Sequence, residues 1–240
     1  SMFFFTKKEF LADHLEGLID IHNHILPGID DGSKDVEMSL QMIQLYKELG
    51  FKGCIATPHT MEDYYGNDIR SIEQAFTDFK TKNTGFITNA ASEYMMDGKF
   101  KHLIDSDQIL FLKEKMLLTE FSYFQKPAYV NEIIFHMIQK NIAPILAHPE
   151  RYAYIKDIEE YRDLKDRGFT LQLNLLSLSG HYGKDAFTKS TLLLKHRFYE
   201  FIATDAHKPE HLKAIKEMKI TPKISEDLRP VIEHTKSIFN

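Results

Sequence analysis

The stretch DIHNHILPGIDDG, residues 20–32, places two histidines and two aspartates at the end of an apolar run that is typical of a buried strand. Side chains alternate between the two faces of a strand, so His22 and His24 share one face. Two imidazole nitrogens therefore converge without help from the rest of the fold. Because histidine is the commonest metal ligand, this stretch predicts that the first strand supplies part of a metal cluster.

Short apolar segments alternate with amphipathic ones along the rest of the chain, which predicts parallel strands joined by crossover helices. The predicted strands are 18–25, 53–57, 85–92, 116–120, 143–147, 170–174 and 201–203. The predicted helices are 36–49, 72–82, 128–140, 155–167, 186–196 and 209–218. An open doubly wound sheet and a closed barrel both fit this alternation. Residues 94–112 form the least regular connection and are expected to be an insertion on the rim.

Nearly every predicted strand ends in a histidine or a carboxylate. In parallel α/β folds the carboxyl ends of the strands meet on one rim, so we expect these side chains to meet although they are far apart in sequence. The candidate ligands are His22, His24, Asp31, His59, Glu93, Glu120, His148, Asp205 and His207. They are too many for one ion at about four to six ligands each, which predicts two or three divalent ions. Mixed imidazole and carboxylate sites suit manganese, iron or zinc.

Some of these assignments have an alternative in the sequence. A histidine at a strand end is often a hydrogen-bonded structural residue, although chance placement at so many ends is improbable. Asp30 and Asp31 could each be the ligand while the other caps the helix that begins near residue 34, and we favour Asp31. His181 follows a predicted strand and is a candidate substrate contact.

Composition limits the other classes of function. The 240 residues, 43% of them hydrophobic, suit a single domain spanning 1–240, and the net charge of −5 without basic runs argues against nucleic acid as a partner. One cysteine and no secretory signal indicate a cytoplasmic protein without membrane insertion. The apolar residues 2–5 are expected to pack on the body as an arm, and Ser1 is consistent with a cloning remnant.

The sequence lacks the motifs of two common hydrolase mechanisms. Cys54 lies inside a predicted strand, and the residues that follow it contain no arginine to close a phosphate-binding loop, so a cysteine phosphatase is not indicated. No G-x-S-x-G motif of a serine hydrolase occurs.

At the candidate ligands the chain resembles the PHP (polymerase and histidinol phosphatase) superfamily. The motifs in the family's order are HxH at His22 and His24, TPH ending at His59, Glu93, HPER at 148–151 and TDAH ending at His207. The stretch 20–32 and the sequence AHPERY look most like the bacterial manganese-dependent tyrosine-protein phosphatases of capsule and exopolysaccharide operons. The resemblance implies a distorted (βα)7 TIM-like barrel with a trinuclear metal site.

The resemblance also implies roles for individual residues. One ion would be held by His22, His24, Glu93 and Asp205, a second by Glu93, Glu120 and His148, and a third by Asp31, His59 and His207. Arg151 would grip the phosphate. Independently of the resemblance, Asp205 and His207 are both candidates to donate a proton through water. The implied reaction is hydrolysis of phosphotyrosine on a protein, a tyrosine autokinase, with manganese as the expected metal. The alternatives are a small-metabolite phosphatase, for example for histidinol phosphate, and a catalytically silent metal-binding module that docks a partner.

Overall fold

The computed structural model describes residues 7–83 and 85–240. The strands of this part of the chain are β1 Glu9–Phe10, β2 Ile19–Asp20, β3 Gly53–Ala56, β4 His59–Thr60, β5 Ile87–Ala90, β6 Glu93–Met95, β7 Met116–Glu120, β8 Ala143–Ala147, β9 Thr170–Asn174, β10 Phe201–Ala203 and β11 Lys219–Ile220. Its α-helices are α1 Val36–Glu48, α2 Ile69–Lys80, α3 Phe100–Asp105, α4 Val130–Gln139, α5 Ile158–Asp166, α6 Lys184–Lys195, α7 Pro209–Glu217 and α8 Pro222–Phe239. None of these helices is both long and apolar enough to cross a membrane.

The parallel strands form a closed, distorted barrel of seven staves. A stave is one strand (β2, β7, β8, β9 or β10) or two consecutive strands (β3 with β4, β5 with β6). One sheet has the order β2-β3-β5 and the other the order β10-β9-β8-β7-β6-β4, and the chain runs directly from β3 into β4 and from β5 into β6. A parallel bridge between Asn23 and Ala206 joins the first stave to the last. The backbone amide of Asp205 also donates to the carbonyl of His22 at 2.8 Å. The closed barrel, and not the open sheet, is therefore confirmed.

The strand interruptions are the main difference from the predicted elements. Regular pairing in the first stave covers only Ile19–Asp20, because beyond it the backbone turns to bond the last stave and the next one. The predicted strands 53–57 and 85–92 are likewise split, and each resumes at a candidate ligand, His59 or Glu93. These breaks distort the barrel at the rim where the candidate ligands lie.

The barrel encloses its own apolar core. Ile21, Ile55, Leu118 and Ile145 point inward, and Phe239 at the end of α8 packs with them. A larger apolar layer lies between the strands and the surrounding helices. Close-packed interiors have low compressibility, so the interior forms a rigid base beneath the rim.

Candidate metal centre and active-site cleft

The nine predicted ligands come together at the carboxyl ends of the strands. Three groups of them have ligand atoms within 4.8 Å of one another: His24, Asp31, His59 and His207; His22, His24, Glu93 and Asp205; and His59, Glu93 and Glu120. His148 lies beside the last group, with its Nε2 atom 3.1 Å from Glu93 Oε2 and 3.9 Å from Glu120 Oε1. His24, His59 and Glu93 each belong to two groups, so the three groups form one continuous cluster.

The donor atoms of the cluster fit a metal better than they fit one another. His22 Nε2, His59 Nδ1, Glu93 Oε1 and Glu120 Oε2 are buried and make no hydrogen bond of good geometry among the described residues. His22 Nε2 nevertheless lies 3.1 Å from Glu93 Oε1, and His59 Nδ1 lies 2.9 Å from Glu120 Oε2. Buried polar atoms that crowd together without hydrogen-bond geometry require a common explanation. Imidazole nitrogens and carboxylate oxygens converging in this way match the ligand set of manganese, iron or zinc.

Residues outside the cluster orient its histidines. His22 Nδ1 donates to Gln172 Oε1 at 2.8 Å, which leaves Nε2 directed at Glu93 and Asp205. The amide of Gln172 is itself fixed, because its Nε2 donates to the carbonyl of Leu173 at 2.6 Å. A hydrogen bond to the far nitrogen is how proteins fix the tautomer of a ligating histidine.

Asp30 and Asp31 take different positions. The carboxylate of Asp30 accepts from His24 Nδ1 at 2.8 Å and from the backbone amides of His59 at 3.0 Å and Gly32 at 2.9 Å. Asp31 Oδ1 instead lies 3.5 Å from His59 Nε2 and 3.4 Å from His207 Nε2. The geometry therefore favours Asp31 as the ligand and gives Asp30 a positioning role.

Asp205 is held by buried polar groups around the last stave. Asn174 Nδ2 donates to Asp205 Oδ2 at 3.0 Å. Next to it, Thr204 donates from its backbone amide and from its hydroxyl to the carboxylate of the buried Asp20, at 2.9 and 2.6 Å. Asp205 and His148 both have left-handed backbones, with φ of 51° and 38°. Such strained conformations in non-glycine residues cluster at functional sites, where neighbouring contacts hold them.

Mutual attraction sets the charge state of the cluster without metal. Burial alone would lower the pKa of His22, but the carboxylates of Asp205 and Glu93 raise it well above its ordinary value. Burial would raise the pKa of Glu93, yet His22 and His59 hold it well below its usual range. Burial and the charge of Glu93 raise the pKa of Glu120. The imidazoles therefore compensate the clustered carboxylates by binding protons.

Arg151 lies beside the cluster and is clamped by two aromatic rings. Its guanidinium carbon is 3.8 Å from the centre of the Tyr182 ring and 4.7 Å from that of Tyr123. One of its terminal nitrogens, Nη1, is 3.8 Å from Asp205 Oδ2. The two rings restrain a long side chain that would otherwise be free, and they leave its edge turned toward the cluster.

The cluster forms the floor of a cleft of about 800 Å³. The segments after β8, β9 and β10 contribute cationic and polar groups to its wall, namely Arg151, Tyr182, Lys208 and, from α7, His211. Loops after β4, β6 and β7 contribute apolar side chains and two carboxylates, Glu62 and Asp97. The cleft thus has a cationic half and an apolar half, with the candidate ligands between them.

Two histidines differ in how closely they approach the cleft. His181 is exposed on the rim, 4.8 Å from the ring of Tyr182, and it does not line the cleft; its contact with a substrate stays a prediction. His211, in contrast, lines the cleft and accepts from the backbone amide of His207 at 3.0 Å. Burial and the nearby His207 lower the pKa of His211 to about 4.

Sequence reasoning missed the residues that orient the ligands. Gln172 and Asn174 had a usable signal, because they are alternate polar residues in the otherwise apolar, fully buried end of β9. The sequence contains no comparable sign that Tyr123 and Tyr182 hold Arg151, since a tyrosine in a loop is ordinarily a surface residue.

The comparisons with known proteins agree with this geometry. Residues 18–228 match the family of capsular polysaccharide synthesis proteins CpsB/CapC. The putative tyrosine-protein phosphatase CapC of Staphylococcus aureus is 28% identical over 196 residues, covering 79% of this chain and 77% of CapC. The tyrosine-protein phosphatase YwqE of Bacillus subtilis is 29% identical with the same coverage of both chains.

Solved structures show the same relationship in three dimensions. A structure from the study of YwqE of Bacillus subtilis and CpsB of Streptococcus pneumoniae, metal-dependent tyrosine phosphatases, superimposes with a TM-score of 0.75 at 26% identity, covering 90% of this chain and 87% of the other. Histidinol phosphate phosphatase of Lactococcus lactis shares the fold, with a TM-score of 0.53 at 14% identity over 91% and 93% of the two chains. The chain therefore belongs to the CpsB/CapC family of capsular polysaccharide synthesis proteins.

Proposed function

We propose that this protein is a metal-dependent phosphatase that hydrolyses phosphotyrosine in proteins. The observation that carries the proposal is the mostly buried cluster of histidines and carboxylates, whose ligand atoms converge without good hydrogen-bond geometry, at the floor of a cleft that also holds a clamped arginine. The names of the relatives CapC, YwqE and CpsB support the same activity.

The three groups of the cluster would hold two or three divalent ions. His22, His24, Glu93 and Asp205 form the most deeply buried of them, and Asp31 with His59 and His207 faces the cleft. Manganese is the proposed metal, with iron and zinc as alternatives that the donor set also suits. When bound, such ions supply the Lewis acidity that activates water and neutralises the charge of a phosphate.

Arg151 would bind the phosphate. Its planar guanidinium can donate two parallel hydrogen bonds to two phosphate oxygens and spread the charge that develops in the transition state. The rings of Tyr123 and Tyr182 hold the guanidinium in place before the substrate arrives, so little conformational entropy is lost on binding.

The reaction requires little help for the leaving group. Attack of water on phosphorus breaks the bond to the tyrosyl oxygen, and an aryl oxide leaves more readily than an alkyl oxide. Asp205 and His207 are the proposed routes for a proton through water. The Nδ1 atom of His207 donates to its neighbour's carbonyl, Asp205 O, at 2.9 Å, so its Nε2 faces the cleft side of the cluster. This chemistry favours phosphotyrosine over phosphoserine.

The family and its relatives suggest where the reaction is used. Membership in a capsular polysaccharide synthesis family supports a role in making capsule or exopolysaccharide. A tyrosine autokinase of the same process is the proposed protein substrate, and a cytoplasmic location is proposed with it.

A comparison of histidine variants tests this proposal. Phosphate release from a phosphotyrosine peptide with manganese present should fall at least about 100-fold in His59→Ala, because a ligand shared by two groups is lost. His102→Ala, an exposed histidine of α3, should keep the wild-type rate. Equal rates in the two variants would contradict the metal role of the cluster.

The same assay with a phosphoserine peptide tests the leaving-group argument. We expect the phosphotyrosine peptide to be hydrolysed much faster at matched concentration. Comparable rates would contradict a preference that rests on the leaving group.

A further inference from the structure

The apolar half of the cleft has a composition that phosphate binding does not explain. Its wall includes Met61 and Tyr64 after β4, Met95 at the end of β6, and Phe124, Pro127 and Tyr129 after β7; we name these six residues the apolar arc. The three staves that carry the apolar arc are neighbours in the barrel, and so are the three that carry the cationic half.

Phe124 is the most exposed member of the apolar arc, with 93% of its surface accessible. Its backbone is nevertheless held in a defined turn, because its amide donates to Ser122 Oγ at 3.1 Å and the Tyr154 hydroxyl donates to the carbonyl of Ser122 at 2.8 Å. The preceding residue, Tyr123, turns inward onto Arg151. The loop therefore fixes one aromatic ring on the guanidinium and presents the next one to solvent at the cleft.

The apolar arc is bordered by two acidic residues without a basic partner. The backbone amide of Glu62 donates to Asp97 Oδ2 at 2.8 Å, which brings the two carboxylates to the same edge of the cleft. Within residues 7–83 and 85–240, neither carboxylate lies within 4 Å of a basic side chain. An anionic edge next to an apolar surface complements a ligand that carries both an apolar and a basic group.

We propose that the apolar arc is a subsite for the polypeptide that flanks the phosphotyrosine, and that it selects a bulky apolar side chain next to a basic one. The inference rests on the proposed function. With the phosphate bound at Arg151 and the cluster, the tyrosyl group extends toward the apolar half of the cleft, where its ring meets apolar side chains. The peptide backbone then reaches the mouth, where Phe124 can pack on an apolar neighbour and Glu62 and Asp97 can attract a lysine or arginine.

Comparing a peptide substrate with a small substrate that lacks a peptide distinguishes an effect on this subsite from an effect on phosphate hydrolysis. The probes are p-nitrophenyl phosphate and phosphotyrosine peptides of equal length. In the peptides, the residue next to the phosphotyrosine on each side is leucine or alanine, and the residue beyond it is lysine or glutamate. Phe124→Ala should lower kcat/KM for the leucine- and lysine-flanked peptide about tenfold, mainly by raising KM, since aromatic anchors carry much of the binding energy of an interface. Its rate on p-nitrophenyl phosphate should not change.

Matched variants provide the controls. Phe135→Ala removes another exposed phenylalanine, 58% accessible on α4, and should leave kcat/KM unchanged for both the peptide and p-nitrophenyl phosphate. Glu62→Gln should reduce the preference for lysine over glutamate in the flanking positions, and added salt should reduce it in the wild type as well.

Each outcome has a definite meaning. A selective loss on peptides in Phe124→Ala alone supports the subsite. Peptide turnover that is indifferent to Phe124, or an equal loss on p-nitrophenyl phosphate, overturns the subsite and leaves the proposed function intact. If the wild type hydrolyses p-nitrophenyl phosphate but none of the peptides, both the protein-phosphatase proposal and the subsite are overturned.

Discussion

Close packing, and not an unusual backbone angle, requires a glycine at position 32. A Cβ atom there would lie 2.1 Å from the carbonyl oxygen of His24 and 2.4 Å from its Cβ. The amide of Ser33 donates to that same carbonyl at 2.9 Å, so the loop lies directly against the histidine. This contact brings Asp30 and Asp31 to the cluster.

Substitution of this glycine should damage both stability and metal binding. We expect Gly32→Ala to lower the free energy of unfolding by about 1–3 kcal/mol, because an added methyl group forces the loop and His24 apart. Bound metal should fall with it. Gly66→Ala is the control, since a Cβ at Gly66 would meet nothing within 4 Å. Urea unfolding and metal analysis of both variants check this, and identical behaviour of the two would contradict it.

The two neighbouring aspartates should respond differently to neutralisation. Asp31→Asn should lower the number of ions bound per chain, because Asp31 is the proposed ligand next to His59 and His207. Asp30→Asn should keep that number and weaken metal affinity by about 10-fold or more, the usual effect of losing a partner of a ligating histidine. Metal titrations of the two variants distinguish these results; the reverse pattern would make Asp30 the ligand.

For individual residues, the sequence indicates the candidate ligands better than the residues that hydrogen-bond to them. The candidate ligands could be selected because most of them follow an apolar strand, and strand ends meet in a parallel barrel. The sequence favours Asp31 over Asp30 only weakly, since the two carboxylates differ only in which histidine the loop brings near them. The hydrogen bond from His22 to Gln172 joins residues 150 positions apart, so local pattern contains no sign of it.

Among the elements, α8 has a role in the barrel that its surface pattern does not reveal. Thr221 caps its first turn, because the hydroxyl oxygen of Thr221 accepts from the amide of Ile224 at 3.2 Å, and the helix ends with Phe239 in the interior cluster. The ring of Phe239 is 5.6 Å from that of Phe201 on β10. The last turn of the chain therefore helps to close the barrel core.

Removal of this ring should destabilise the protein. Phe239→Ala should lower the free energy of unfolding by about 3 kcal/mol, because it removes a buried aromatic side chain and leaves a cavity. Phe135→Ala, an exposed phenylalanine of α4, should change it by less than about 0.5 kcal/mol. Urea unfolding of both variants measures the difference, and similar midpoints would contradict the role of α8.

Helices were predicted more accurately than strands. Each predicted helix agrees with an observed one to within three residues at both ends, because amphipathic periodicity and caps such as Asp35 mark helices locally. The helix α8 and the pairing of β1 with β11 were not predicted. Residues 94–112 do lie at the rim in part, with Met95 and Asp97 on the cleft wall and α3 after them. The arm predicted at residues 2–5 lies outside the described residues.

For the whole molecule, the histidines of the metal-free cluster should be protonated, and a metal ion must displace these protons when it binds. Despite burial, which lowers it, the pKa of His59 is raised to about 9 by Glu93 and other carboxylates, and the pKa of His24 is raised well above its ordinary value with Asp30 contributing. These imidazoles therefore bind protons at neutral pH. Without metal, their ion pairs stabilise the fold fully below about pH 6.5, and that contribution is lost as pH rises through the higher folded pKa values.

Metal binding should show the opposite dependence on pH. Each displaced proton makes the apparent metal affinity fall about tenfold per unit decrease of pH, so affinity should weaken steeply from about pH 8 to pH 6. Calorimetry in two buffers of different ionisation enthalpy counts the protons released. Binding without proton release would contradict the charge state described for the cluster.

Closure of the barrel could not be decided from the sequence. The alternation of strands and helices fits an open sheet equally well, and the decisive bonds join 22–24 to 205–206 at opposite ends of the chain. The closure also brings the nine candidate ligands into one cluster, because it places Asp205 beside His22 and His24 and places His207 beside His24.

The most direct test of the central claim is phosphate release by the manganese-loaded protein from a phosphotyrosine peptide and from histidinol phosphate in parallel, each with and without chelator. We predict rapid release from the peptide, little from histidinol phosphate, and loss of both with chelator. Release that persists after complete removal of metal would contradict the metal centre. A preference for histidinol phosphate would contradict the proposed substrate while leaving the metal chemistry in place.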